Sequence, residues 1–156
     1  MKITLLVIGK TADARLVSLI EDYRQRLTHY VPFEFVVIPD IKNAKALTQD
    51  QLKTAEGEAI LRFVTPVMDV LLFDEHGREF RSIEFADFLQ KKMSSGKDLV
   101  LVIGGAYGFS EAVYARANEQ LSLSKMTFSH QMIRLVFTEQ VYRACTIIKG
   151  EPYHHE

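Results

Sequence analysis

A chain of 156 residues is long enough to bury a hydrophobic core, and we expect residues 1–156 to form one domain. Its 19 basic and 20 acidic side chains give a net charge of -1, which argues against strong non-specific binding to nucleic acid but allows a local basic surface. The single cysteine, Cys145, excludes a disulfide framework and a cysteine-based zinc site and fits a reducing, cytoplasmic compartment.

Short apolar runs alternate with amphipathic segments along the chain. The first apolar run is too short to cross a membrane and predicts a strand, so we expect no membrane association. In chain order we predict strand Lys2–Ile8, helix Asp13–Tyr30, strand Phe33–Ile38, loop Ile41–Lys45, helix Thr48–Phe63, strand Val67–Asp74, a turn over His76–Arg81, helix Ser82–Ser95, strand Leu99–Ile103, helix Ser110–Asn118, a short strand and loop within Leu121–Phe128, and helix His130–Lys149. This alternation predicts an α/β fold with a parallel-rich sheet between helix layers.

The predicted last helix, His130–Lys149, is apolar on nearly all sides. Such a helix is usually buried all round, and a small domain rarely covers its terminal helix alone. We therefore expect a second copy of the chain to cover it, in a twofold homodimer. The alternative is a helix clamped under its own sheet.

Three segments have compositions suited to a functional site. Gly104–Gly108 follows the central strand, where glycines allow a ligand to approach the backbone, although a tight turn explains them equally well. Leu121–Arg134 mixes small polar and apolar residues that suit an adenine ring. The tail, Glu151–Glu156, carries Tyr153 and His154, which can stack on bases and exchange protons. No metal site is expected, because no third ligand accompanies the two tail histidines.

These segments together resemble a known family. V-I-G-G-x-x-G-F, L-S-x-S-K-M-T-F-x-H-Q-M-x-R, E-Q-x-Y-R-A and a C-terminal P-Y-H are similar to the ribosomal RNA large-subunit methyltransferase H family, in the SPOUT class of α/β-knot methyltransferases. The start KITLLVIGK and the strand P-F-E-F-V-V-I-P also match, so the resemblance extends over essentially the whole chain.

The resemblance implies a homodimer with a C-terminal trefoil knot. It also implies that S-adenosylmethionine is the methyl donor and that the target is N3 of a pseudouridine in 23S ribosomal RNA on the assembled ribosome. Carried over by position, the cofactor contacts fall on Phe73, Gly104, Leu123, Ser124, Lys125, Met126, Thr127 and Phe128. We expect Gly105 to line the same cleft, where a branched side chain at this position would occupy cofactor space.

Methylation of a uracil-type N3 requires that its proton be removed or that the resulting anion be stabilised. His154 and His130 are the candidate bases. Arg134 or Arg143 would stabilise the developing negative charge, and Tyr153 would orient the substrate from the tail. Glu139 is a candidate acceptor for the extra ring N–H of pseudouridine.

Three alternatives remain open from the sequence. They are a SPOUT methyltransferase that acts on tRNA, a non-enzymatic ribosome-binding module on the same fold, and a flavodoxin-like nucleotide or flavin protein. Cofactor titration, an absorbance spectrum and the oligomeric state distinguish them.

Overall fold

Strands and helices alternate in the predicted order. In the computed structural model, which describes residues 1–156, a short 3-10 helix at Ala44–Ala46 interrupts an otherwise regular succession of elements. In chain order the elements are β1 (Ile3–Ile8), α1 (Ala14–Leu27), β2 (Phe33–Ile38), α2 (Gln49–Phe63), β3 (Asp69–Glu79), α3 (Ser82–Ser94), β4 (Leu99–Ile103), α4 (Glu111–Arg116), β5 (Glu119–Ser122) and α5 (Met132–Ile148). None of these helices is long and apolar enough to span a membrane.

The five strands form one parallel sheet in the order β2-β1-β4-β3-β5. Helices cover both of its faces, and every residue of β1 and β4 is buried. Ile3, Leu5 and Val7 enter the core that also contains residues of α1, α3 and α5, whereas Leu6 and Ile8 enter the core of α2 and α4. Burial on both faces explains why these strands read as unbroken apolar runs. The predicted α/β fold with a parallel sheet is confirmed.

The turn predicted over His76–Arg81 is wrong, because β3 continues to Glu79. After an irregularity beyond Phe73, Arg78 and Glu79 resume parallel pairing with β5. Gly77 makes this possible: a Cβ at this position would lie 2.6 Å from backbone atoms of Leu121. The glycine therefore marks a close approach of two backbones rather than a chain reversal.

The helix α5 is buried mainly by its own chain. It contacts both α1 and α3, and Phe137, Val141 and Ala144 are at most 1% exposed. It begins at Met132 rather than at His130, and Met132 itself is 45% exposed. Burial under its own sheet thus accounts for most of the apolar side chains of α5. The homodimer and the C-terminal knot stay predictions.

A buried guanidinium ties the start of α5 to the end of β1. Arg134 is 1% exposed and donates to the carbonyl oxygens of Ile8 (2.7 Å) and Gly9 (2.9 Å) and to the hydroxyl of Thr11 (3.0 Å). Its Nε donates to the carbonyl oxygen of His130 at 3.0 Å. Burial lowers the pKa of Arg134, but a guanidinium in a protein stays charged. These contacts give Arg134 a structural role at the sheet edge.

We expect Arg134→Met to lower the free energy of unfolding by about 3 kcal/mol or more, since it leaves several buried acceptors without a charged donor. Urea denaturation followed by circular dichroism measures this change. The matched control is Arg15→Met, because the side chain of Arg15 is 88% exposed and should contribute little. An Arg134→Met protein as stable as the control would contradict the structural role.

Candidate functional site

A cavity of about 570 Å³ opens at the carboxyl ends of β4 and β5, beside the irregular middle of β3. Its wall comes from residues 73–76 of β3, from residues 103–109 after β4, and from the loop that joins β5 to α5. The carboxyl edge is where open α/β sheets bind ligands, and this volume suits a small molecule. About half of the lining residues are hydrophobic, so the cavity offers both apolar and polar contacts.

The glycine loop, residues 104–108, forms a tight turn on one wall of the cavity. Gly105 and Gly108 form an isolated antiparallel bridge, with Gly108 N donating to Gly105 O at 3.2 Å. A Cβ at position 105 would lie 2.5 Å from Oε2 of Glu56, on α2. The expectation that a side chain at position 105 enters ligand space is therefore corrected: it would first meet Glu56 beneath the loop.

Glu56 is a buried carboxylate that the sequence analysis missed. It is 7% exposed, and its Oε1 has no hydrogen-bond partner. Burial, together with the nearby Asp40 carboxylate, raises the pKa of Glu56. The spacing of four residues from the buried Ile60 places Glu56 on the inward face of α2, but the sequence does not show that the loop after β4 covers it.

Asp74 provides a negative charge on the cavity wall. Tyr114 Oη donates to Asp74 Oδ2, and His76 N donates to Asp74 Oδ1 at 2.9 Å. Burial acts to raise the pKa of Asp74, but the hydrogen bonds from Tyr114 and His76 outweigh it, and the pKa is lowered. Burial and the same hydrogen bond raise the pKa of Tyr114 to about 12, so Tyr114 remains a donor. The site therefore holds an ionised carboxylate that suits a cationic ligand group.

The loop between β5 and α5 is held by its own small side chains. Ser122 Oγ donates to Ser124 O at 2.8 Å, and Ser124 Oγ accepts from Met126 N at 3.0 Å. Ser129 Oγ accepts from Met132 N at 3.0 Å, at the start of α5. These local bonds give the loop a defined shape without strand or helix pairing.

The structure brings most of the residues predicted to bind the cofactor to one cavity. The cavity also receives His130, which precedes α5 and is exposed. Of the predicted site residues, its wall contains Phe73, Gly104, Gly105, Leu123, Ser124, Met126, Thr127, Phe128 and His130. Lys125, Arg134, Tyr153 and His154 are not part of the wall. The four-residue spacing of His130 and Arg134 does not place their side chains together, because the helix begins after His130.

Tyr153 and His154 belong to a second cluster, against α5. The chain reverses at Gly150, where Glu151 N donates to Thr146 O at 2.9 Å. Tyr153 Oη then donates to Glu139 Oε1 at 2.8 Å, and burial together with hydrogen bonds to Tyr23 and Glu139 raises the pKa of Tyr153. The tail is thus fixed on the body of the protein.

Arg143 connects the members of the tail cluster. Its Nη2 lies 2.8 Å from Glu139 Oε1, its Nη1 lies 3.1 Å from His154 Nδ1, and its guanidinium lies 4.8 Å from the centre of the Tyr153 ring. The cluster brings together the four residues that the sequence analysis considered for catalysis or recognition at this end of the chain: Glu139, Arg143, Tyr153 and His154.

A parallel sheet with a small-molecule cavity at its carboxyl edge defines a ligand-binding α/β protein, and comparison with known proteins narrows the class. The family model described as "Predicted SPOUT methyltransferase" matches residues 1–154. The chain therefore belongs to the SPOUT methyltransferase family, and it is an enzyme of that class. This result decides against the flavodoxin-like alternative.

Curated relatives are similar over the whole chain. The "Ribosomal RNA large subunit methyltransferase H" of Parabacteroides distasonis is 59% identical over 157 residues, covering 100% of both chains. The protein of the same name from Christiangramia forsetii is 56% identical over 156 residues, covering 99% of each. The solved structure of a probable methylase family protein from Haemophilus influenzae Rd KW20 has a TM-score of 0.57 at 10% identity, covering 99% of this chain and 70% of that chain. At that identity it supports the fold alone.

Proposed function

We propose that this enzyme methylates N3 of a pseudouridine in 23S ribosomal RNA on the assembled ribosome, in the cytoplasm. The observation that carries the proposal is full-length similarity to proteins named ribosomal RNA large subunit methyltransferase H. The cavity also supports it, because two of the segments that carry the resemblance, the glycine loop and the loop between β5 and α5, line one space at the sheet edge. An enzyme specific for tRNA is the competing proposal.

S-adenosylmethionine fits the cavity in size and in charge. When bound, it supplies a methyl group on a sulfonium sulfur, and transfer of that group to nitrogen leaves a neutral thioether. The backbone of the glycine loop and of the loop between β5 and α5 would hold it, with Phe73 as an apolar wall. Asp74, kept ionised by Tyr114 and His76, would attract its positive charge. Lys125 lies outside the wall and would contribute only its backbone or charge.

A twofold dimer would complete the site. Within one chain the tail cluster is not part of the cavity wall, so a second copy would have to bring Tyr153 and His154 over the cofactor. Three exposed apolar side chains at or beside the mouth give that copy a surface to cover: Tyr107 (50% exposed), Met126 (79%) and Met132 (45%). Each dimer would then contain two composite sites.

The polar groups of the chain have distinct tasks in this proposal. His130, on the cavity wall, is the candidate base for the N3 proton. His154, in the tail, is the other candidate base, and Arg143 is the candidate group to stabilise negative charge on the ring. Glu139 holds Tyr153 and Arg143, which favours a role in fixing the tail over one in reading the pseudouridine N–H. Arg134 is committed to backbone carbonyls, so its contribution would be the position of α5.

We expect Gly105→Ala to weaken S-adenosylmethionine binding at least about tenfold, measured by titration calorimetry. The new Cβ would lie 2.5 Å from Glu56 Oε2, so the buried Glu56 carboxylate or the glycine loop must shift, and a shift of the loop changes the cavity wall. In a Glu56→Ala background the same substitution has room and should cost much less. A double-mutant cycle isolates this contact. Equal losses in both backgrounds would contradict the proposed origin of the effect.

Assembled ribosomes should be methylated at least about tenfold faster than purified 23S RNA, because a chain with a net charge of -1 makes few phosphate contacts of its own. The assay follows transfer of labelled methyl groups, and mass mapping locates the product. The control substrate is bulk tRNA. Equal rates on naked RNA would contradict recognition of the assembled particle, and methylation of tRNA alone would support the competing substrate. Cofactor binding without methyl transfer to any RNA would contradict the function itself.

A mixture of two inactive variants tests the composite site. One variant lacks Tyr153–Glu156, and the other carries Gly105→Val. If the tail acts across the dimer, each mixed dimer has one intact site, and random exchange restores roughly a quarter of wild-type activity. Sedimentation must show that dimers form and exchange. A monomer at micromolar concentration, or mixed dimers without activity, would refute the composite site.

A further inference from the structure

The ring of His154 is held by one hydrogen bond and has a second nitrogen with no partner. Its side chain is 12% exposed, and its Nδ1 lies 3.1 Å from Nη1 of Arg143. Its Nε2 is buried without a hydrogen-bond partner. The nearest carboxylate oxygen, from Glu156, lies 3.7 Å from Nε2, beyond hydrogen-bond reach.

The contact with Arg143 fixes where the proton of the His154 ring resides. A guanidinium only donates hydrogen bonds, so Nδ1 must accept with its lone pair. The neutral ring then carries its hydrogen on Nε2. Arg143 is in turn held by Glu139 at 2.8 Å and by the face of Tyr153.

We propose that Glu139 and Arg143 hold His154 as a neutral N–H donor, and that its Nε2–H, which the chain itself covers in the free protein, is uncovered when substrate binds and donates to a carbonyl oxygen beside N3 of the target base. This inference rests on the proposed function. The N3 proton passes to a water molecule or hydroxide of the solvent, directly or through His130, and the electron pair of the broken N–H bond stays on the ring. The resulting charge spreads onto the adjacent carbonyl oxygens, where a fixed donor stabilises it. His154 is then a charge-stabilising residue rather than the base, and Arg143 is a positioning residue.

The tautomer of His154 is measurable without substrate. Two-bond proton–nitrogen correlation spectra of the full-length labelled protein at neutral pH distinguish the two ring nitrogens, and comparison with a His154→Gln protein assigns the signal. We expect a protonated Nε2 and an unprotonated Nδ1, and loss of this preference in Arg143→Met. A ring protonated on Nδ1, or on both nitrogens, would overturn the proposal whether or not the protein methylates ribosomes.

Activity on ribosomes distinguishes a donor from a base. The amide N–H of glutamine can occupy the place of Nε2–H, whereas alanine has no donor there. We expect His154→Gln to keep kcat within about fivefold of the wild type and His154→Ala to lose at least about tenfold, with unchanged cofactor affinity in both. The matched control is the neighbouring His155→Ala, which removes an exposed ring.

The pH profile gives a second activity readout. Because a donor without a titrating role adds no acid limb, His154→Gln should leave the acid side of the kcat profile unchanged. A folded His154→Gln protein that is as inactive as His154→Ala, or one that loses an acid limb present in the wild type, would overturn the proposal. If the wild type itself fails to methylate ribosomes, the proposed function fails, while the spectrum still decides the tautomer.

Discussion

The parallel pairing of β4 between β1 and β3 is the constraint on which the rest of the structure depends. All five residues of β4 are buried, because helices cover both faces of the sheet. Parallel strands that share one direction must place their carboxyl ends at one edge. The glycine loop, the continuation of β3 and the loop after β5 therefore meet although they are distant in sequence. The topology of the sheet therefore creates the cavity, and particular side chains determine only its detailed shape.

The helix α5 positions both groups of residues proposed for the chemistry, namely His130 at the cavity and the tail cluster. Arg134 holds its first turn against the end of β1, which places the preceding His130 at the cavity. One to three turns further on, Glu139 and Arg143 receive the tail as it returns from Gly150. A buried charge with four hydrogen bonds is costly to displace, so the position of this helix is strongly specified. Arg134, which the sequence analysis considered for catalysis, therefore has a structural role instead.

The sequence predicted the elements better than the contacts between them. The strands β2 and β4 matched to the residue, because Pro39 marks the end of β2 and the unbroken apolar run of β4 is typical of a strand covered on both faces. Eight of the nine residues expected to bind the cofactor line the cavity wall. Glu56, and the pairing of Asp74 with Tyr114, were beyond reach because each depends on chain segments at least 40 residues apart. The spacing of His130 and Arg134 misled, because it assumed a helix that begins two residues later.

Preorganisation of the tail gives a small protein a way to compensate for its few contacts with RNA. A flexible tail would have to be ordered when substrate binds, which costs about 1–2 kcal/mol per residue in backbone freedom alone. Here Tyr153 and His154 already bond to Glu139 and Arg143, so that cost falls on folding rather than on substrate binding. The buried, unpartnered Nε2 of His154 is the remaining cost, and a hydrogen-bond acceptor on the substrate would relieve it. The tail cluster is therefore suited to stabilise charge on a ligand that the chain itself does not provide.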